Sequence, residues 1–353
     1  MLVGRYRNQC FRIFDLRLTV LLCILTGLLT SSCQPTEMIS VVSGETMGTT
    51  YRVSIVHDAS KREINTIQHE VQKNLLKINS LMSTYDNISE ISRFNRVSVN
   101  QPFPISLETL EVVQFSLYLA EATGGAFDPT VGPLVDLWGF GPPGSRRVVP
   151  NDRDVKEALA LVGYQSLVLD SENPALTTRE ARSLDLSSVA KGYAVDQITL
   201  MLDQMGYEAY LVEIGGELRS KGSKPGLKPW RVAIEAPEAH RQGVFRTLPL
   251  MDRAIATSGD YRNYFEHEGQ RFSHTIDPRT GAPINHKLAS VTVLAGSALV
   301  ADGWATALMV LGPEHGLALA DEYQIAALML IRVEGSFELI ESKAFKDYVK
   351  LTQ

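Results

Sequence analysis

The sequence predicts an α+β fold, a single intertwined domain with mixed sheets and flanking helices. Apolar residues recur at helical spacing in some segments and alternate with polar residues in others, so both helices and strands are expected. No repeat with a period of about 20–50 residues is visible, which argues against a solenoid or a propeller. The chain has 353 residues, a net charge of -6 and 44% hydrophobic residues, which is enough for one large core.

The N-terminal half of this fold follows from the patterns in chain order. Residues 38–56 alternate apolar and polar side chains around Gly44 and Gly48, and predict two strands joined by a turn. Apolar residues at helical spacing predict an amphipathic helix over Lys61–Ser80. A second helix is predicted over Ser106–Ala122, where a Thr-Gly-Gly sequence ends it.

The middle of the chain contains a loop and shorter elements. Residues 126–145 are rich in glycine, proline and aromatic residues, and are predicted to form a structured loop. A short helix over Asp152–Val162 and strands over Ser166–Leu169 and Ser183–Leu186 are expected to follow.

The C-terminal half alternates helices and strands. A helix is predicted from about Val189 to a stop at Gly206, and the strand Ala209–Ile214 follows it. Two more helices are expected over Ala298–Leu311 and Pro313–Glu322. Further strands are predicted at WRVAIEA, AIATSG, SVTVLAG, AALMLIRV and SFELI.

The first residues have the composition of an export signal. Arginines precede an apolar run, Leu18–Leu29, that is too short to span a bilayer comfortably. Residues 1–33 are therefore predicted to be a signal peptide, and TSSC resembles a lipoprotein processing site that would end the leader at Cys33. A short membrane anchor is the alternative. Residues 34–40 are predicted as a polar linker and 41–353 as the functional domain.

Cysteine usage and charge exclude several kinds of function. All three cysteines (Cys10, Cys23 and Cys33) lie in the predicted leader, so the exported domain has no disulfide framework and no cysteine metal site. Basic residues do not cluster, so a nucleic-acid partner is not expected. The predicted location is the periplasmic side of a bacterial membrane, with a lipid anchor at Cys33 if the leader is processed there.

The stretch DLSSVAKGYA contains Ser188 and Lys191 at the S-x-x-K spacing of penicillin-binding serine enzymes. The element that would have to supply their K-T-G strand is Arg279–Gly281, which lies in a proline turn and carries arginine in place of lysine. Acyl-transfer chemistry is therefore the least favoured interpretation.

Two other interpretations of this stretch stay open. In the first, a strand delivers Asp185 to a turn and a helix begins near Val189, so that its free N–H groups and Lys191 form an anion site. In the second, Ser187 or Ser188 only caps the helix and Lys191 is solvated.

A second group of residues lies in the apolar helix ALVADGWATALMVLG. Its one ionisable residue, Asp302, is four residues from Thr306 and shares a helix face with it. An unpaired buried carboxylate is unfavourable, so Asp302 is near the surface, paired with a cation or bound to a metal. Oxygen ligands favour a hard ion such as Mg²⁺. Alternatively, Asp302 caps its own first turn and the Thr306 hydroxyl bonds to the Asp302 carbonyl.

His274 stands between a strand and a proline turn, next to Ser273 and near Asp277. A carboxylate at that position could hold the imidazole as a general base. The other histidines lie among polar or loop residues and have no predicted role.

Together these stretches resemble the ApbE family, the FAD:protein FMN transferases, from about Met47 to Gly312. The resemblance rests on MGTTY, MSTYDNISEISRFN, GGAFDPTVGPLVDLWGFG, DLSSVAKGYAVD, GGEL, TSGDYRNYF, SHTIDPRTGAPI and ADGWATALMVLG, in that order. It implies an ApbE-like fold and an exported enzyme that binds FAD and Mg²⁺. Such an enzyme transfers the FMN moiety to a threonine hydroxyl of a partner protein and releases AMP. By analogy, the acceptor would belong to a membrane-bound redox subunit.

The resemblance also implies roles for individual residues. FAD would contact Met47, Tyr85, Ala126, Phe127, Asp128, Asp185, Lys191 and Ile276. Mg²⁺ would be held by Ser188, Asp302 and Thr306. Beside the resemblance, we predict Asp302 and His274 as the catalytic residues, with His274 as the base that takes the threonine proton. Tyr85 and Phe127 offer aromatic faces for a flavin or adenine ring.

One position departs from the family pattern. Some members carry Asp three residues after the metal-binding aspartate, where this chain has Ala305. The expectation is weaker Mg²⁺ affinity in the absence of FAD. Two alternative functions use the same residues: a Mg²⁺-dependent FAD pyrophosphatase that yields FMN and AMP, and a flavin carrier without catalysis.

Overall fold

The computed structural model describes residues 37–58, 64–141, 147–238 and 243–352. The predicted signal peptide lies outside the described residues. None of the helices within the described ranges is long and apolar enough to cross a membrane.

The described residues from Ile39 to His57 and from Ile64 onward belong to one compact unit. The first strand begins at Glu37, so the prediction of a linker over residues 34–40 is wrong for its last four residues. The strand predicted from residue 38 therefore begins one residue earlier, at Glu37.

The described helices are α1 (Ile64–Met82), α2 (Glu90–Phe94), α3 (Leu107–Ala122), α4 (Gly132–Leu137), α5 (Asp152–Leu159), α6 (Ala190–Gln204), α7 (Ala298–Glu322) and α8 (Lys343–Thr352). The N-terminal strands are β1 (Glu37–Thr46), β2 (Thr49–Asp58), β3 (Phe103–Pro104), β4 (Leu167–Asp170), β5 (Ala175–Thr178), β6 (Tyr210–Ile214), β7 (Glu217–Lys221) and β8 (Trp230–Glu235). The C-terminal strands are β9 (Val244–Leu250), β10 (Ala254–Gly259), β11 (Tyr264–His267), β12 (Gln270–Ser273), β13 (Ile276–Asp277), β14 (Ala282–Pro283), β15 (Leu288–Ala295), β16 (Ala326–Val333) and β17 (Ser336–Glu341). Helices and sheets intermix along the chain, which confirms the predicted α+β class.

An eight-stranded sheet, in the order β1-β2-β6-β7-β10-β15-β16-β17, forms the centre of the fold. The pairs β2–β6, β6–β7, β7–β10, β10–β15, β15–β16 and β16–β17 are antiparallel. The smaller sheets are β3-β5-β4 and the hairpins β8–β9, β11–β12 and β13–β14.

The two faces of this sheet bury separate apolar clusters. Successive residues of a strand point to opposite faces, and in β10 Ala254 and Ala256 belong to one cluster while Ile255 belongs to the other. Helices α1, α6 and α7 contribute to the larger cluster. The hairpin β8–β9 and Phe345 of α8 contribute to the smaller one. The functional helices α6 and α7 are therefore anchored on a single face of the sheet.

Helix α7 has a capped start and a kink. The Ser297 hydroxyl accepts the Val300 N–H, and the Asp196 carboxylate of α6 accepts the N–H groups of the first two residues of α7. Gly312 has non-helical backbone angles, with a φ of 78° and a ψ of -179°, and precedes Pro313, so α7 consists of two helices that meet at this residue, as the sequence predicted.

The strand predicted over Ser183–Leu186 is wrong. The Asn95 side-chain amide accepts the Leu184 N–H at 2.7 Å and donates to the Leu184 carbonyl at 3.0 Å. The Asp185 N–H donates to the Pro129 carbonyl at 2.7 Å. Leu184 and Leu186 are fully buried, which explains the strand-like alternation, but side-chain and loop groups hold this backbone.

Candidate active site

A cavity of about 540 Å³ lies where the loop after α3, the start of α6, the β6–β7 turn, the end of β10 and α7 meet. This volume is within the range of about 300–1,000 Å³ typical of small-molecule sites. Ten of the twelve predicted site residues line it: Ala126, Phe127, Asp128, Asp185, Ser188, Lys191, His274, Ile276, Asp302 and Thr306. Segments far apart in the sequence therefore converge on one cavity.

The other two predicted residues, Met47 and Tyr85, are not among the residues that line the cavity. Met47 sits in the β1–β2 turn with a φ of 48°. Tyr85 is 61% exposed, and the pKa of its hydroxyl is raised by partial burial and by the nearby carboxylates of Asp185 and Asp136. Tyr85 thus lies close to the Asp185 side of the cavity, and the FAD contacts of both residues stay predictions.

Lys191 is held between two carboxylates. Its Nζ is 2.9 Å from Glu217 Oε1 and 3.7 Å from Asp302 Oδ2. Burial lowers the pKa of Lys191, but the charges of Asp302 and Glu217 outweigh burial and raise the pKa above its ordinary value. The interpretation of a merely solvated lysine is wrong. A lysine kept protonated in this way also has no capacity to take a proton from Ser188, which argues against acyl-transfer chemistry.

Asp302 is buried and partnered from α6. Its Oδ2 accepts the Gly192 N–H at 3.0 Å, and only 3% of the residue is exposed. Burial raises the pKa of Asp302 above the usual carboxylate range, Lys191 opposes this increase, and Glu217 adds to it. Because α7 begins four residues earlier, at Ala298, the alternative of Asp302 as a first-turn cap is wrong.

The Thr306 hydroxyl lies one helical turn beyond Asp302. It is 3.2 Å from the Ser258 hydroxyl at the end of β10. This partner is not the Asp302 carbonyl, to which the alternative interpretation assigned the Thr306 hydroxyl. Thr306 and Asp302 both line the cavity. The carboxylate and the hydroxyl therefore share one cavity wall.

The start of α6 is open to the cavity. Its N-cap residue is Val189, which provides no side-chain hydrogen bond, so the interpretation of Ser187 or Ser188 as a cap is wrong. In the turn before the helix, the backbone N–H of Ser187 donates to Asp185 Oδ1 at 2.9 Å. The N–H groups of Val189 and Ala190 donate to the Leu186 carbonyl, and that of Gly192 donates to Asp302. The positive charge that this turn offers to an anion is therefore mainly that of Lys191.

Gly192 permits the contact between α6 and α7. A Cβ at this position would lie 2.3 Å from the Ala298 carbonyl oxygen and 2.8 Å from the Asp302 Cβ. Both distances are shorter than van der Waals contact, so only glycine allows the helices to approach closely enough for the Gly192 N–H to reach Asp302.

We expect Gly192→Ala to destabilise the protein by about 1–3 kcal/mol, because overpacking at a helix contact costs that much. The added methyl group would also separate Asp302 from its backbone donor. Urea denaturation measures the change, with Gln204→Ala, an exposed position of the same helix, as the control. Equal stability of Gly192→Ala and the wild type would contradict the close packing of the two helices.

His274 lines the cavity as a neutral base. Its Nδ1 is 3.0 Å from the Asn263 carbonyl oxygen. A carbonyl only accepts hydrogen bonds, so Nδ1 carries the proton and Nε2 keeps its lone pair. Burial lowers the pKa of His274; the Asn263 carbonyl opposes this effect and the charge of Lys191 adds to it. The predicted carboxylate partner is wrong, since Asp277 pairs with Arg279 at 2.8 Å.

Asp128, a predicted FAD contact, stabilises the loop after α3 through hydrogen bonds. Its Oδ1 accepts the N–H and the hydroxyl of Thr130 at 2.8 and 2.6 Å, and its Oδ2 accepts the Tyr164 N–H at 3.0 Å. The carboxylate is thus committed within the protein. Phe127 beside it is 2% exposed and lines the cavity.

The chemistry of the donors in this cavity fits a divalent cation. Two buried carboxylates, Asp302 and Glu217, share the single ammonium of Lys191, and Glu217 Oε2 is buried without a hydrogen-bond partner. Ser188 and Thr306 add hydroxyl oxygens. Within the described ranges, no three or more His, Cys, Asp or Glu residues are grouped so that they could hold a metal ion by themselves. Hard oxygen ligands suit Mg²⁺.

Three residues that shape this site were not assigned from the sequence: Gly192, Glu217 and Asn263. The sequence does carry a signal for two of them, since Gly192 follows the S-x-x-K motif directly and Glu217 follows a glycine pair in GGEL. Asn263 acts through its backbone carbonyl, for which no side-chain pattern exists.

Comparisons with known proteins agree with the site. Residues 47–329 match the model of the ApbE family. A Vibrio cholerae serotype O1 protein named FAD:protein FMN transferase is 43% identical, over 93% of this chain and 98% of the relative.

Solved structures give the same picture. The flavin transferase ApbE from Vibrio cholerae superposes with a TM-score of 0.82 at 42% identity, covering 88% of this chain and 99% of that one. The apo form of the Pseudomonas stutzeri flavinyl transferase ApbE gives a TM-score of 0.82 at 42% identity, covering 89% of this chain and 97% of the other. The resemblance read from the ordered motifs is confirmed: the chain belongs to the ApbE family.

Proposed function

We propose that this chain transfers the FMN moiety of FAD to a threonine hydroxyl of a partner protein, in a Mg²⁺-dependent reaction that releases AMP. Its relatives are named for FAD:protein FMN transfer. The observation that carries the proposal is that a charged Lys191, the buried carboxylate of Asp302 and a neutral His274 line the same cavity.

The chemistry balances as a phosphoryl-group transfer. The threonine oxygen bonds to the phosphorus on the riboflavin side of the FAD pyrophosphate, and the bond from that phosphorus to the bridging oxygen breaks. AMP leaves with the bridging oxygen, and the threonine proton passes to Nε2 of His274. The ammonium of Lys191 neutralises charge on the phosphoryl oxygens.

A divalent cation belongs in the same place. Ser188, Asp302 and Thr306 would hold Mg²⁺, whose charge would further polarise the phosphoryl oxygens when it is bound. Removal of the ion is expected to abolish transfer, since the phosphoryl charge would then face Lys191 alone.

The transferase is favoured over a flavin carrier by one feature of the site. A carrier has no use for a proton acceptor, whereas His274 is held as one tautomer with Nε2 free. An FAD pyrophosphatase would use the same groups with water in place of threonine, and the acceptor decides between these two reactions.

The partner and the location are further parts of the proposal. We propose that the acceptor is a membrane-bound redox subunit on the periplasmic side of a bacterial membrane. Export and a lipid anchor at Cys33 would bring the chain to it. The leader and the family resemblance support this arrangement.

The experiment is incubation of the full chain, in detergent, with FAD, Mg²⁺ and a threonine-containing acceptor protein. A fluorescent acceptor band on a denaturing gel, absent with EDTA and absent when the threonine is replaced by valine, is the expected result. Free FMN and AMP without a labelled acceptor would indicate the pyrophosphatase. Intact bound FAD would indicate the carrier.

A further inference from the structure

Glu217 is the one carboxylate in the cavity whose full purpose the proposed reaction leaves unexplained. It is the first residue of β7, directly after the glycine pair of the β6–β7 turn, and only 4% of it is exposed. Oε1 contacts Lys191 at 2.9 Å. Oε2 is buried and has no hydrogen-bond partner, which is costly for a charged oxygen.

When Glu217 and Asp302 are both ionised, the charges around Glu217 do not balance. Glu217 and Asp302 are both buried and both lie near Lys191, whose ammonium neutralises only one of them. A second cation would compensate the remaining charge and would also occupy the free side of Oε2.

The position that the family resemblance suggested for a second carboxylate does not serve this purpose. Ala305 is fully buried in the apolar cluster and is not among the residues that line the cavity. Glu217 follows the β6–β7 turn and lines the cavity. Like Asp302, it contacts the ammonium group of Lys191.

We propose that Glu217, through its free Oε2, supplies the second carboxylate of the divalent-cation site, beside Asp302. The inference rests on the proposed Mg²⁺-dependent function of this cavity. It replaces the expectation of a site weakened by Ala305 with that of a site that binds a divalent ion even without FAD.

The test is Mn²⁺ binding to the full chain from which flavin has been removed. Binding is measured by the decrease in the electron paramagnetic resonance signal of the free ion. We expect Glu217→Gln, which keeps the shape of the side chain and removes its charge, to weaken Mn²⁺ binding about 10–100-fold. The matched control is Glu235→Gln. Glu235 lines the same cavity, but its carboxylate already pairs with Arg262 at 2.6 Å, so the control should stay within about twofold of the wild type.

A second variant, Lys191→Met, shows whether Glu217 binds the ion directly or acts only through Lys191. Loss of Glu217 would release Lys191 to pair with Asp302, which alone could weaken ion binding. In a Lys191→Met background, Glu217→Gln must therefore still weaken Mn²⁺ binding. An effect that disappears in that background would mean that Glu217 only retains Lys191, and would overturn the inference.

Other outcomes are equally decisive. Unchanged Mn²⁺ affinity of Glu217→Gln, or no Mn²⁺ binding by the flavin-free wild type, would overturn the inference. If the Gln variant does not fold by circular dichroism, Glu217→Met, which also removes the carboxylate, replaces it, and full affinity there would overturn the inference as well. Because Mn²⁺ binding needs neither FAD nor acceptor, a chain that binds Mn²⁺ through Glu217 but transfers no FMN would refute only the proposed function.

Discussion

Asp302→Asn is expected to lower FMN transfer by about 10³-fold. The asparagine keeps the volume of the side chain and an oxygen that can accept the Gly192 N–H, so the contact between α6 and α7 survives. The lost charge removes the partner of the cation and leaves Lys191 with Glu217 alone.

The measurement is the transfer rate constant with saturating FAD and acceptor. The control is Glu314→Gln, which changes an exposed carboxylate on the same helix, α7, and should transfer at the wild-type rate. An Asp302→Asn enzyme that keeps more than about a tenth of the wild-type rate would contradict the assignment of Asp302 to the catalytic site.

His274→Gln is expected to lower the rate of transfer by about 10²–10⁴-fold, the range for loss of a general base. Glutamine can still hydrogen-bond at this site but takes no proton from threonine. The matched control is His267→Gln, an exposed histidine on β11. A rate for His274→Gln within threefold of the wild type would remove His274 from the proposed mechanism.

The pH dependence gives this role a separate signature. Burial lowers the pKa of His274, so the ring stays neutral and able to accept a proton below the ordinary histidine value of about 6.5. Wild-type transfer should therefore hold its rate as the pH falls to about 6.5 and decline only at lower pH. An acid limb above pH 7 that disappears in His274→Gln would contradict this, because it would place the pKa of His274 above its ordinary value. The neutral ring also stabilises the fold above the unfolded-state pKa, and this stability is lost as the pH falls through the folded-state pKa.

Sequence reasoning found the residues of this site where chemistry restricts the choice of side chain. A lone carboxylate in an apolar helix and a lysine in the first turn of another have few structural explanations, and Asp302 and Lys191 do line one cavity. The ordered motifs then indicated the family, and with it further residues that line the cavity, among them Asp185, Ser188 and Ile276.

The contacts that were not predicted involve backbone groups or an ion pair between residues far apart in the sequence. The Asn263 carbonyl selects the tautomer of His274, and the Asn95 amide holds Leu184 where a strand was expected. Every residue has an N–H or a carbonyl of this kind, so no residue type marks these contacts in the sequence. Glu217 became informative only when its distance to Lys191 and its unpartnered oxygen were known.

The measurement that tests the central claim most directly is the ratio of AMP released to FMN bound on the acceptor in a single reaction, from chromatography and intact mass. The account predicts one AMP for each acceptor that gains one FMN through its threonine, and neither product with Asp302→Asn. AMP accompanied by free FMN and an unmodified acceptor would contradict it, because water would then be the acceptor in this cavity.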